Sequence, residues 1–141
     1  MNGNEGQKIT AMLMIEVLGR PKEHLIETLK DISNKMGEEK GVEVADSKIK
    51  DPTPVKDKEN LFTAFAEIEV EVKSAAVLIG LMFKYMPAHI DVIEPENIRL
   101  KNNELAETLS EIVRRLHKYD ELLRVMQMEK KVLEKKLNEK K

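Results

Sequence analysis

The chain has 141 residues, a formal net charge of -2 and 35% charged side chains. That balance lacks the basic face needed for general nucleic-acid binding. The absence of cysteine rules out disulfides, thiolate metal sites and a cysteine nucleophile. No apolar run approaches the ~20 residues of a membrane span. Met1–Gln7 is polar, with neither a basic nor an apolar leader-like region, so a cytoplasmic location is the default expectation and this segment a flexible N-terminus.

Residues 8–18, KITAMLMIEVL, read as a central strand. Ile9, Ala11, Leu13, Ile15 and Val17 line one face, and Thr10, Met12, Met14, Glu16 and Leu18 the other. Gly19-Arg20-Pro21 breaks the strand, with Pro21 placed in the first turn of a helix. Leu25, Leu29, Ile32 and Met36 recur at helical spacing, so the helix should cover about 21–36 and stop at Gly37. Val42–Ile49 reads as a more polar edge strand. In the loop Asp51–Asn60, Pro52 and Pro54 argue against regular pairing.

The clearest alternation follows over Leu61–Lys73. Its even positions, Phe62 through Val72, are all apolar, and Glu67, Glu69 and Glu71 lie on the other side. Ser74 is placed to cap a second helix to about Met86. Lys84 is the only charge in AAVLIGLMFKYM, which implies burial on more than one side. Pro87 ends it, His89–Ile93 forms a short strand, and Pro95-Glu96 marks a turn.

From Glu104 to Leu137 the pattern is heptad. Leu105, Leu109, Ile112, Leu116, Tyr119, Leu123, Met126, Leu133 and Leu137 recur in steps of four and three, with Lys130 filling the one polar place. Val113, Leu122, Val125 and Met128 widen the apolar stripe. Such a helix would extend ~50 Å, longer than a domain of this size is wide, and would seek a partner helix. In a parallel two-stranded coil Glu129 and Glu134 would meet as like charges, which weakens the seam beyond about Met128. The number and orientation of helices in the coil stay open.

The order β-α-β-β-α-β is the split βαβ arrangement. The expected fold is therefore α+β, a ferredoxin-like sandwich with a four-stranded antiparallel sheet over residues 8–100. A long C-terminal coiled-coil helix over 101–141 serves packing and oligomerisation. Charge divides along the same line, with a net of -5 on the first hundred residues (13 basic, 18 acidic) and +3 on the rest (11 and 8).

An apolar first strand followed by Gly19-Arg20-Pro21-Lys22 and an apolar helix resembles the ACT domain family. That family typically carries Asp-Arg-Pro-Gly at the turn; here Arg and Pro match, while Gly19 and Lys22 replace Asp and Gly. The resemblance implies a small ligand held between the first helix and a neighbouring subunit, with Gly19, Arg20 and His24 as the candidate residues.

Two further constellations bear on chemistry. Glu67, Glu69 and Asp91, near Glu16, Glu71 and His89, offer oxygen donors to a hard divalent cation, against the alternative of a solvated strand face. The histidines His24, His89 and His117 lie on separate elements and suggest no nucleophile triad. An RNA-recognition surface, which shares this topology, would need aromatics two apart; Phe62 and Phe65 are three apart and face opposite ways.

The first expectation is a non-enzymatic adaptor or regulatory protein, without cofactor, that self-associates through Leu109, Ile112, Leu116, Tyr119, Leu123 and Met126. It would form a homo-oligomer with a possible further protein partner, engaging neither nucleic acid nor membrane. An ACT-like sensor is the alternative, and a metal-dependent enzyme using the acidic strand comes third.

Overall fold

The computed structural model describes residues 7–140. The N-terminal segment expected to be flexible lies outside them, except for Gln7. That residue is tied down: its amide nitrogen donates to the Asn97 carbonyl at 3.2 Å, and its amide oxygen accepts from the Arg99 N–H at 3.1 Å. The chain divides after Arg99 into two compact units.

The first unit runs β1 (Ile9–Gly19), α1 (Lys22–Glu38), β2 (Val42–Ile49), β3 (Thr53–Pro54), β4 (Phe62–Val72), α2 (Ala75–Tyr85) and β5 (His89–Glu94). The antiparallel sheet has the order β2-β4-β1-β5, with β3 also paired to β4. The two strands of best alternation, β1 and β4, take the centre, as the ferredoxin-like topology requires. They pair without interruption from Ile9↔Val72 to Gly19↔Phe62. Ile9, Ala11, Leu13 and Ile15 meet Ala66, Ile68, Val70 and Val72 in one buried layer, covered by Leu25, Leu29 and Met36 of α1 and Leu81 of α2.

Four local details depart from expectation. First, α1 continues through Gly37 to Glu38. A Cβ at Gly37 would meet only Val44 Cγ2 at 3.7 Å, so that glycine is not a conformational stop; the chain turns instead at Gly41, whose φ of +81° favours a residue without a side chain. Second, the proline-containing loop does pair. Where β2 gives out beyond Ile49↔Ala66, Thr53 and Pro54 take over opposite Thr63 and Phe62. A proline is tolerated there because this is the rim of the sheet.

Third, α2 is less enclosed than its composition suggests. Ser74 caps it, accepting from the Val77 N–H at 3.3 Å. Only Leu81 is buried, however, and Met86 just beyond the helix is 70% exposed. One helical layer over a small sheet cannot enclose a cylinder on every side. Fourth, both edge strands are irregular, with register shifts between Val44 and Asp46 on β2 and between Thr10 and Ala11 where β1 meets β5.

The second unit contains α3 (Asn102–Glu139), a single helix of 38 residues. The Glu104 carboxylate accepts from the Lys101 N–H at 3.3 Å and holds its first turn. Along its surface run Glu111–Arg115 at 2.8 Å, Glu111–Arg114, Asp120–Arg124 at 3.0 Å and Lys130–Glu134 at 4.0 Å. Such pairs at three- and four-residue spacing give the helix modest support. The hydrogen bond from Arg115, aided by the charge of Arg114, holds the Glu111 carboxyl below its usual range. Among the described residues no helix is long and apolar enough to cross a membrane.

One polar clamp joins the ends of the two sheet-covering helices. Glu39, just after α1, accepts from the Tyr85 hydroxyl at 2.9 Å and from the Lys84 ammonium. These bonds, Lys84's first, lower the Glu39 pKa. Burial, reinforced by the bond to Glu39, pushes the Tyr85 hydroxyl from 10.0 up to about 12. The folded state thus favours protonated Tyr85. Its contribution is complete below the unfolded value of 10.0 and is lost as pH rises through about 12. In thermal melts between these pH values, the native chain should lose stability more steeply than Tyr85→Phe. Parallel slopes would mean that the hydroxyl is solvated in both states.

Candidate functional site

Period-two alternation assigns every side chain of β1 and β4 to a face, and the register then fixes which residues are neighbours across the strands. The face away from α1 and α2 is built in rows. Glu43, Glu71, Thr10 and Glu94 form the first, Asp46, Glu69, Met12 and Asp91 the second, and Lys48, Glu67, Met14 and His89 the third. Glu16 lies opposite Phe65, and Leu18 opposite Thr63. Of the two half-buried methionines on β1, Met12 is flanked by Glu69 and Asp91, and Met14 by Glu67 and His89.

This order decides the geometry of the proposed metal ligands. Glu67 and Glu69 stand on β4 and Asp91 on β5, with β1 and its Met12 between them. Two strand spacings separate the acids, ~10 Å, so one small ion cannot be shared without a large rearrangement. Among the described residues no group of three acidic or histidine side chains is gathered in a metal-binding arrangement. Local partners serve the acids instead. Lys8 lies 3.6 Å from Glu71, Glu16 accepts from the Thr63 hydroxyl at 3.0 Å, and His89 Nε2 lies 3.0 Å from Asp91. Lys48 stands opposite Glu67. Alternation alone does not reveal this pair, because the bulge in β2 shifts its register.

The turn shared with the ACT pattern is exposed. Arg20 and His24 are open to solvent, and Gly19 is half-buried at the end of β1. A Cβ on Gly19 would come within 3.3 Å of Leu25 Cδ2, so the glycine serves close packing of α1 against the strand. The His24 N–H donates to the Pro21 carbonyl at 3.1 Å, and its own carbonyl accepts from Thr28 Oγ1 at 2.8 Å. These are helix-start bonds, and they bring no second polar side chain toward Arg20.

The seam of α3 is a long apolar surface. Leu109, Leu116, Tyr119, Leu123 and Met126 are exposed, at 52%, 55%, 40%, 57% and 62%, while Ile112 is half-buried. Leu133 and Leu137 extend the seam, at 61% and 64% exposure. Val125, Met128 and Val132 make a second exposed stripe on the opposite side of the helix. Val132 belongs to this stripe because 3.6-residue periodicity places it two turns from Val125.

Asp46 and Glu69 stand directly opposite each other, as do Glu43 and Glu71. Like charges so placed are destabilising by a few tenths to ~1 kcal/mol. Glu69→Gln should therefore raise the melting temperature by roughly 1–5 °C. Neither the native chain nor the variant should respond to millimolar magnesium, manganese or calcium. A cation-dependent rise in the native chain that Glu69→Gln abolishes would restore the metal site.

No curated protein and no solved structure matches the chain. A family model does, over residues 10–141, which takes in the sheet, its helices and the whole of α3. The chain belongs to the MJ0538 family.

Proposed function

We propose that this protein is a non-enzymatic adaptor or regulatory subunit that self-associates through α3. The observation that carries this reading is the exposed heptad seam from Leu105 to Leu137. Monomeric proteins rarely expose a contiguous apolar surface of more than a few hundred Å², and larger ones mark interaction sites. This seam runs along most of a helix ~57 Å long. Apolar burial at ~25 cal/mol per Å² would supply the association energy. The ion pairs along the helix surface are solvated and add little beside it.

The heptad pattern favours a second copy as the partner, because matched helices present knobs and holes at the same spacing. The sheet contributes a separate surface, two methionines bordered by acids, suited to a basic and partly apolar partner. A small-ligand sensor of ACT type has less support, since Arg20 and His24 are exposed and do not converge.

The test is a double substitution, Leu116→Glu with Leu123→Glu, which places carboxylates in the seam. Unpaired charge is strongly disfavoured once desolvated. Sedimentation should show the native chain as an oligomer and the variant as a monomer, with association weakened by at least ~100-fold. The variant should keep its sheet signal in circular dichroism. An unchanged mass would sink the proposal.

A further inference from the structure

We infer that two copies of α3 pair antiparallel, about a two-fold axis that crosses the seam at the level of Glu121. The inference rests on the self-association reading and adds orientation and register to it. In the heptad frame Leu109, Leu116, Leu123, Lys130 and Leu137 occupy one seam position, and Leu105, Ile112, Tyr119, Met126 and Leu133 the other.

A parallel, in-register coil sets each residue against its own copy. Lys130 then meets Lys130 in the seam, two ammonium groups in one apolar layer. Glu129 meets Glu134 of the other copy twice, once on each side. Leu122, 53% exposed on the flank, faces the polar Gln127. Each of these contacts is unfavourable.

Turning one helix around the axis at Glu121 removes all three. Leu105 then layers with Leu137 of the second copy, Leu109 with Leu133, Ile112 with Lys130, Leu116 with Met126, and Tyr119 with Leu123. Every seam residue from Leu105 to Leu137 is matched, and shifting the axis by half a heptad in either direction leaves an end pair unmatched. Lys130 now lies against Ile112, alone in its layer and near the end of the seam. From there its long stem can carry the ammonium out to water.

The flanks follow. Glu129 faces Arg115 of the second copy, an opposite charge in place of the like-charged Glu134. Leu122 meets its own copy beside the axis, which accounts for the widening of the apolar stripe there. One like-charge contact is created, Asp120 against Asp120, but each already has Arg124 at 3.0 Å. Val125, Met128 and Val132 lie on the far side of the helix in either arrangement and do not distinguish them.

The absence of cysteine allows a spin label at a single introduced thiol. Glu107→Cys and Lys135→Cys, both exposed and outside the seam, are labelled in separate preparations of the full chain. Pulsed electron paramagnetic resonance then measures the distance between copies, and sedimentation on the same samples reports their mass. In the antiparallel pair each label lies twenty-eight residues along the axis from its twin, ~42 Å at 1.5 Å per residue. Both variants should give that distance. A parallel pair would give less than ~25 Å at both sites, about two helix diameters, and would overturn the orientation while leaving self-association intact. Monomeric mass with no dipolar signal would overturn self-association itself.

Discussion

The pairing of β1 with β4 is the constraint on which the rest of the molecule depends. It runs unbroken from Ile9↔Val72 to Gly19↔Phe62. Because side chains alternate, a slip of β1 by one residue would carry Leu13 and Ile15 to the outside and bring Met14 and Glu16 into the core. Burial of the aliphatic face therefore fixes the register, and the register fixes the opposite face as well. The separation of Asp91 from Glu69 by Met12 follows from the same pairing that buries Leu13 beside Ile68 and Ile90. A metal site built from Glu67, Glu69 and Asp91 would need its donors on adjacent strands, and this register sets β1 between Asp91 and the two glutamates.

The two units place their apolar residues differently. In the sheet unit aliphatic side chains such as Leu13, Leu29 and Ile68 are fully buried within the fold. In α3 the comparable residues are exposed along much of the helix. An isolated helix gains most of its stability from packing an amphipathic face, and surface ion pairs add only tenths of a kcal/mol each. The sheet core meets this requirement within the chain, whereas the α3 seam stays exposed along much of its length.

Much of this architecture is legible in the residues. Alternation over Ile9–Val17 and Phe62–Val72 identifies the central strands because both have one wholly aliphatic face. Ser74 announces α2, and the steps of four and three announce α3. Other features escape for physical reasons. Pro54 forbids a ladder bond only where its missing N–H is needed, so a bridge at the rim survives it. Gly37 resembles a helix stop, yet only the backbone angle at Gly41 makes the turn. The bulge in β2 conceals that Lys48 stands opposite Glu67. The Glu39–Tyr85 bond joins residues 46 apart, a pairing that no local pattern encodes. Among the candidate site residues, the α3 seam could be read by periodicity alone. The grouping of Glu67, Glu69 and Asp91 depended on strand order, and Arg20 with His24 on local side-chain direction.

The irregular rims of the sheet have a consequence for how molecules of this protein meet. A straight, unpaired edge strand is a template on which a neighbour can add its own backbone, and repeated addition leads to fibres. Here one rim is broken by a bulge and then handed over to a two-residue bridge that ends in Pro54, which lacks the N–H a new strand would bond. The opposite rim is short, bulged and flanked by Asp91 and Glu94. Growth by strand addition is thus obstructed on both sides. A chain guarded in this way can carry a long, sticky helix at high concentration without polymerising through its sheet.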